Sequence, residues 1–143
     1  MQRMTRQRRI ILETLQGLKT HPTADEVYAL VRQKLPHVSL GTVYRNLDLL
    51  HRNGLALRLN HSGAQTRFDG DTSQHCHIRC VECGCIGDVF RDVTIVKMHH
   101  VSSETGYQVT GYTLEYEGIC PACQQNATGG TESTANRQFL QDN

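Results

Sequence analysis

Two cysteine pairs constrain this 143-residue chain more than any other feature. Each pair has the spacing Cys-x-x-Cys, which places two sulfur atoms on one tight turn, and two such turns complete a tetrahedral thiolate site. Four thiolates select zinc or an iron–sulfur centre. We expect a closed structural zinc site, because a small domain needs such a staple and two symmetric pairs give no reason for a reactive, thioredoxin-like dithiol. The four predicted ligands are Cys80, Cys83, Cys120 and Cys123.

A second group of metal-binding residue types surrounds the first pair, in the run HCHIRCVECGCIGD at 75–88. His75 and His77 are two residues apart, so both imidazoles point to the same side of an extended strand. With further polar residues they offer three nitrogens and two carboxylates, which suit Fe(II) or Mn(II) and which zinc also accepts. Spacing alone does not establish that they meet. The candidate ligands are His21, Asp69, His75, His77 and Asp88.

Cys76 and Cys85 lie outside both pairs. Each is either a reactive thiol, an alternative soft ligand for the second site, or a small residue packed beside the zinc-binding turn. We favour the packing role. The role of these two thiols is left open by the sequence.

Charge divides the chain into two halves. Residues 1–58 carry ten Lys and Arg against four Asp and Glu, a balance of +6, whereas residues 59–143 carry five against ten, a balance of −5. A basic half suggests contact with nucleic acid, although solvated helix faces give the same pattern. No apolar run approaches bilayer length, and the N-terminus lacks the apolar core of a signal peptide, so we expect a cytoplasmic protein that does not enter membranes.

The first half predicts three helices and a hairpin. Thr5, Thr23 and Ser39 are expected N-caps, the second in a capping box with Glu26, and Gly54 ends the third helix. The residue before Pro22 is biased toward extended geometry, and this residue is His21. After Gly54 the pattern alternates, predicting two strands joined by a turn at residues 60–63. This arrangement is a winged helix-turn-helix over residues 1–68.

The third helix is the expected recognition helix. Its apolar residues, Leu40, Val43, Leu47 and Leu50, are predicted to face the core. Four residues near its N-terminal end are predicted to project toward the bases and phosphates of double-stranded DNA. They are Thr42, Tyr44, Arg45 and Asn46. An ordinary small helical domain is the alternative, and the basic charge and the hairpin favour DNA binding.

The second half predicts an α+β chain overall. Residues 77–90 and 107–117 alternate like strands, with a helix expected at 93–103. We divide the chain into the winged helix-turn-helix domain (1–68), a hinge (69–74), a small α/β domain holding the zinc site (75–125) and a disordered polar tail (126–143).

Five segments resemble the ferric uptake regulator family. They are HPTADEVY (21–28), TVYRNL (42–47), TRFDG (66–70), HCHIRCVECG (75–84) and TGY…LEYEGICPAC (105–123). The resemblance covers residues 4–123 and implies a homodimeric, metal-dependent transcription factor whose second domain dimerises, with the 107–117 strand as the expected surface. It implies that the four paired cysteines hold zinc. It also implies that His21, Asp69, His75, His77 and Asp88 form a regulatory metal site between the domains, so that the metal controls the spacing of the recognition helices and hence operator binding.

The resemblance is closest to the peroxide-sensing branch of the family. Asp88 stands where iron-uptake repressors generally carry Glu, and Gly111-Tyr112 replace a histidine of an additional site. In the peroxide branch, Fe(II) reacts with peroxide and the radical formed oxidises ligand histidines, here His21 and His75. We therefore expect a repressor that senses peroxide and takes no other small-molecule substrate. A repressor of metal uptake that responds to iron, zinc or manganese is the alternative.

Two other classes of function are weaker. A metal-dependent enzyme using His75, His77 and a carboxylate would need a cosubstrate pocket and a general base, and the sequence offers neither at a recognisable spacing. A zinc-stapled interaction module would leave His21 and Asp88 without a role. We therefore expect a regulator and no enzyme.

Overall fold

The computed structural model describes residues 3–90 and 98–127. Its elements, in chain order, are α1 (Arg6–Gln16), α2 (Ala24–Lys34), α3 (Leu40–Arg52), β1 (Leu57–Leu59), β2 (Arg67–Asp69), β3 (Cys76–Cys80), β4 (Ile86–Val89), α4 (Met98–Thr105), β5 (Glu115–Gly118) and α5 (Pro121–Ala127). Within these ranges, no helix has the length and apolar character that crossing a bilayer requires.

The first three helices begin where their caps were predicted. The side chain of Thr5 accepts the backbone N–H of Arg8, and that of Ser39 accepts the backbone N–H of Thr42. The capping box of α2 is complete, because the Glu26 side chain also accepts the backbone N–H of Thr23. These side chains satisfy N–H groups that have no partner inside a helix.

The three helices and the wing strand β2 enclose one hydrophobic core. The fully buried side chains include Ile11, Leu15, Val27, Val31, Val43, Leu47, Leu50 and Phe68. Leu40 was predicted to face this core, but 38% of it is exposed. Leu40 is the first residue of α3, where the helix has not yet reached the packed interface, so the prediction is wrong at this position.

The wing is the short antiparallel pair β1–β2, with Leu57 opposite Asp69 and Leu59 opposite Arg67. Its connection spans residues 60–66 and contains the predicted turn. Phe68 inserts into the core, which holds the following residue, Asp69, close to the start of α2. A backbone bond from Phe68 N–H to the carbonyl of Pro22 fixes that contact at 2.9 Å. The wing therefore positions one candidate ligand, Asp69, beside another, His21.

The second sheet has the order β4-β3-β5. β3 and β4 form an antiparallel pair in which His77 lies directly opposite Asp88. β5 runs parallel to β3, with Glu115 opposite His77. This register places two candidate ligands on neighbouring strands, with their side chains on the same face of the sheet.

Several predicted boundaries in the second half were wrong. Of the predicted 107–117 strand, only residues 115–117 pair with a neighbour, in a strand that continues to Gly118; residues 106–114 precede it without regular structure. The predicted helix at 93–103 lies partly outside the described residues, and its described part continues to Thr105. The sequence reasoning missed α5, although Pro121 is a residue typical of a first helical position. The predicted tail begins inside α5, and residues 128–143 lie outside the described ranges.

Phe68→Ala is expected to lower the free energy of unfolding of the first domain by about 3–5 kcal/mol, because it empties a fully buried site in the core. Urea unfolding followed by far-UV circular dichroism measures this change. Phe90 is the matched control: 64% of it is exposed, and Phe90→Ala is expected to change stability by no more than about 0.5 kcal/mol. Equal losses in the two variants would contradict the packing described here.

Candidate metal centres

Five side chains from separate parts of the chain converge where the wing and the α1–α2 connection meet the second sheet. His21 comes from the α1–α2 connection, Asp69 from the end of β2, His75 and His77 from the start of the second sheet, and Asp88 from β4. One ligand atom of each lies within 4.8 Å of the ligand atoms of all the others. All five residues predicted for the second site are therefore brought together.

The two carboxylates lie among the three imidazoles. Oδ2 of Asp69 is 3.3 Å from Nε2 of His21, 2.9 Å from that of His75 and 3.1 Å from that of His77. Oδ1 of Asp88 is 2.6, 3.1 and 3.5 Å from the same three nitrogens. Every histidine thus turns its Nε2 atom toward one common point.

Backbone carbonyls hold two of these imidazoles in place. Nδ1 of His21 donates to the carbonyl of Ile86 at 3.0 Å, and Nδ1 of His75 donates to the carbonyl of Ser73 at 2.8 Å. With the proton on Nδ1, a neutral imidazole presents a lone pair at Nε2, which is the usual arrangement of a metal-binding histidine. The sequence pattern did not indicate that Ile86 holds the His21 ring, because the two residues are 65 positions apart.

The backbone of His21 departs from the extended geometry predicted for a residue before proline. Its φ is +52°, the one positive φ of a non-glycine residue in the described ranges. Such a conformation costs of order 1–3 kcal/mol and persists when the surroundings fix it. Here Ile86 and Asp88 hold the ring, and the guanidinium of Arg67 donates to the carbonyl of His21 at 3.0 Å. The strain therefore lies at a candidate ligand and is maintained by contacts from both the wing and the second sheet.

Charge and burial together shift the proton affinities of this cluster. Burial lowers the pKa of His21, but the hydrogen bond to Asp69 and the charge of Asp88 outweigh it and raise that pKa above its usual value. Burial raises the pKa of Asp69, but hydrogen bonds from His21 and His77 outweigh it and bring that pKa far below its usual range. The cluster therefore retains protons that a cation displaces, so cation binding is coupled to proton release.

The donor set fits a divalent cation. Ligand bonds of about 2.1 Å place neighbouring donor atoms of an octahedral site about 3.0 Å apart and opposite ones about 4.2 Å apart. The imidazole–carboxylate separations, from 2.6 Å for His21–Asp88 to 3.5 Å for His77–Asp88, agree with this spacing. Three nitrogens and two carboxylate oxygens are the mixture that Fe(II), Mn(II) and zinc accept.

The four paired cysteines form a second cluster at the far end of the sheet. Cys80 ends β3 and Cys83 lies on the following turn, while Cys120 immediately precedes α5 and Cys123 lies in its first turn. The four sulfurs are all within 4.8 Å of one another. Sγ of Cys83 is 3.7 Å from Sγ of Cys120. A tetrahedral zinc site with bonds of about 2.3 Å separates its sulfurs by about 3.8 Å. The arrangement therefore fits a zinc ion that joins β3 to α5.

Backbone N–H groups lower the pKa values of Cys80 and Cys120 and favour their thiolate forms, whereas hydrogen bonds to Cys120 and Cys83 raise the pKa of Cys123. Bonds from Cys120 and Cys83 lower the pKa of Cys80 to about 6, against the weaker opposing effect of burial. Cys85 differs, because its thiol donates to Cys83 and Cys120, and its pKa is raised to about 12. Cys85 is half-buried beside the cluster, and its packing role stays a prediction.

The recognition helix presents fewer residues than predicted. Tyr44 and Arg45 are exposed and Thr42 is half-buried. Asn46 is buried, and its side chain accepts from Nε of Arg8 at 3.1 Å and donates to the carbonyl of Thr42 at 2.9 Å. Asn46 therefore joins α3 to α1 and does not project toward DNA. Helical spacing alone did not separate it from its exposed neighbours, because it lies at the edge of the apolar face.

Comparison with known proteins places this geometry in a family. The profile of the ferric uptake regulator family matches residues 1–117. The peroxide operon regulator of Bacillus subtilis is 38% identical over 124 residues, which cover 86% of this chain and 85% of that protein. The peroxide-responsive repressor PerR of Staphylococcus aureus is 36% identical over 85% of this chain and 82% of its own length.

A solved structure agrees with these relatives. The peroxide stress regulator of Campylobacter jejuni has a TM-score of 0.68 and 31% identity, covering 82% of this chain and 88% of that one. The family match spans the three helices, the wing, the five-residue cluster and the first cysteine pair. The chain belongs to the ferric uptake regulator family.

Proposed function

We propose that this regulator represses transcription from double-stranded DNA operators as a homodimer and releases them when peroxide oxidises its own metal-binding histidines. The observation that carries the proposal is the convergence of His21, His75 and His77 on Asp69 and Asp88. Membership of the family makes the chain a metal-responsive transcription regulator and not an enzyme. The cytoplasm, where operators are found, is its proposed location.

The arrangement of the five side chains supports the proposed cation and its chemistry. Fe(II) held by these five ligands would supply the electron that starts the reduction of peroxide, which Mn(II) in the same ligands would do far less readily. Overall, one peroxide would take two electrons from an imidazole, one of its oxygens would be added at a ring C–H carbon, and the other oxygen would leave as water. His21 and His75 are the proposed oxidation targets, since carbonyl contacts at their Nδ1 atoms hold both rings in the cluster. Oxygen added to either ring changes a ligand and weakens the site. The relatives named for peroxide responses support this branch.

The origin of the ligands suggests how the site controls DNA binding. His21 and Asp69 belong to the proposed winged-helix domain and its hinge, and the other three ligands belong to the proposed second domain. Arg67, next to the buried Phe68, connects the wing to His21 through its 3.0 Å bond. A cation that joins all five ligands fixes the orientation of α3 relative to the second sheet. Metal binding then shifts the population toward the conformation that binds DNA.

Exposed residues support the proposed DNA and dimer surfaces. Arg45 and Tyr44 on α3 remain available for phosphate and base contacts, with Thr42 beside them. In the second domain, Ile78 and Tyr116 are opposite each other on β3 and β5, and each is about two-fifths exposed at 40% and 41%. Within the described residues, the outer edge of β5 pairs with no strand. An open edge beside exposed apolar side chains suits contact with a second copy.

Fluorescence anisotropy of a labelled duplex tests the proposal. The duplex is selected from a random-sequence pool by the Mn(II)-loaded protein. Both Mn(II) and Fe(II) are expected to promote binding, and a small excess of peroxide is expected to release only the Fe(II)-loaded protein. Iron-dependent binding that survives peroxide would contradict peroxide sensing and assign the protein to the metal-responsive alternative.

A further inference from the structure

The five-residue cluster is closed around His21 and His75, whereas 11% of the His77 side chain is exposed. The side chains of His21 and His75 are 2% and 0% exposed. The ring of Phe90 stacks on that of His75, with centroids 5.0 Å apart and planes 29° apart. Ile86 covers Nδ1 of His21 with its carbonyl. Small molecules therefore do not reach these imidazoles directly from the solvent side of the rings.

The carboxylate side of the cluster is open to a cleft. This cleft has a volume of about 560 Å³, and Asp69 and Asp88 are the two cluster residues that line it. Asp88 is also the most exposed of the five ligands, at 15% of its side chain. The rest of the cleft is lined from two segments. One is the end of α1 and the residues after it, and the other follows β2: Gln16, Leu18, Lys19, Gly70, Asp71, Thr72 and Ser73.

The walls of this cleft are held at a fixed separation. A Cβ atom added to Gly70 would lie 2.8 Å from Cα and 2.9 Å from the backbone nitrogen of Gln16, so the two backbones touch at the base. The backbone N–H of Asp71 donates to Oδ1 of Asp69 at 2.8 Å, and that of Ser73 donates to Asp71 at 2.9 Å. Thr72 and Lys19 both line the cleft and are exposed, Thr72 from the 70–73 segment and Lys19 from the segment after α1, and we refer to these two exposed positions as its rim.

We propose that this cleft is the route by which the cation and peroxide reach the cluster, and that Thr72 and Lys19 at its rim set the rate of passage without holding either species. The cleft admits small solutes and ends at the two carboxylates. The peroxide part of the inference rests on the proposed function, whereas the cation part stands without it. A residue that narrows the rim slows arrival and departure equally, so the equilibrium affinity stays unchanged.

Thr72→Trp tests the route, with Gln33→Trp as the control because Gln33 is exposed on α2 and lies outside the cleft lining. Stopped-flow mixing gives the association rate of Mn(II), and challenge with a chelator gives its dissociation rate. Thr72→Trp is expected to slow both by about tenfold and to leave the dissociation constant within about twofold. Lys19→Trp, at the other rim position, is expected to act in the same way and guards against a local folding defect at Thr72.

Wild-type Mn(II) exchange in both rim variants would overturn the proposal, as would equal slowing in Gln33→Trp or an altered affinity without slower exchange. Peroxide consumption by the Fe(II)-loaded variants provides the second readout, and it is expected to slow in parallel. If wild-type histidines are not oxidised at all, the proposed function fails while Mn(II) exchange still decides whether the cleft is the route.

Discussion

His77→Ala is expected to remove the metal dependence of DNA binding while the zinc held by the four cysteines stays in place. His77 lies opposite Asp88 in the sheet and 3.1 Å from Asp69, so its loss opens the centre of the five-residue cluster. Removing a group outside the ligand shell typically costs 10–100-fold in metal affinity, and we expect removal of this ligand to cost more than about 100-fold. Mn(II) titrations monitored by duplex anisotropy measure the change.

His100→Ala is the matched control, because His100 lies on α4 and outside the cluster. It is expected to bind Mn(II) and DNA as the wild type does. Metal analysis of both variants is expected to find one zinc per chain. Wild-type DNA binding by His77→Ala would contradict the role given to the five residues and favour a zinc-stapled interaction module.

Cys80→Ser is expected to affect the zinc site, in contrast to His77→Ala. The variant is expected to lose zinc, and its second sheet is expected to unfold. Cys80 ends β3 and is 3% exposed, and its sulfur accepts the backbone N–H of Cys120 at 3.3 Å. Structural zinc contributes about 10–16 kcal/mol in small domains, so an equal share for one of four thiolates is about 2.5–4 kcal/mol. Zinc affinity is therefore expected to fall by at least about 100-fold. A chromophoric chelator measures that affinity, and near-UV circular dichroism reports the tertiary structure.

Cys76→Ser is the control, because it removes a thiol that is not one of the proposed zinc ligands. Cys76 begins the same strand but lies outside the four-cysteine cluster. It is expected to retain zinc and the wild-type thermal transition. Zinc retained at full affinity by Cys80→Ser would show that these four cysteines are not the ligand set.

The sequence predicted the parts of the fold that depend on local rules. Thr5, Thr23 and Ser39 cap their helices as expected, because a side-chain oxygen and a nearby N–H are sufficient for a cap. The two strands of the wing also lie where alternating apolar and polar residues on both sides of a turn predicted them. Boundaries in the second half were predicted poorly because β5 depends on pairing with β3, some forty residues away, and its own residues carry little of that information.

The two sites differ in how much the sequence revealed. The cysteine pairs predicted their cluster from spacing, since each turn already brings two sulfurs together. The five-residue cluster joins segments as far apart as His21 and Asp88, and only the resemblance to a family connected them in advance. The φ of His21 and the burial of Asn46 were missed, because both are set by tertiary contacts with Ile86 and Arg8.

Peptide mass spectrometry tests the peroxide-sensing proposal most directly. Protein loaded with Fe(II) or with Mn(II) is digested before and after a small excess of peroxide. We expect one added oxygen on the peptides that contain His21 or His75, in the Fe(II)-loaded sample alone. Unmodified histidines alongside intact iron-dependent DNA binding would contradict peroxide sensing. Oxidation confined to Cys76 or Cys85 would show that thiols, and not the metal-binding histidines, react with peroxide.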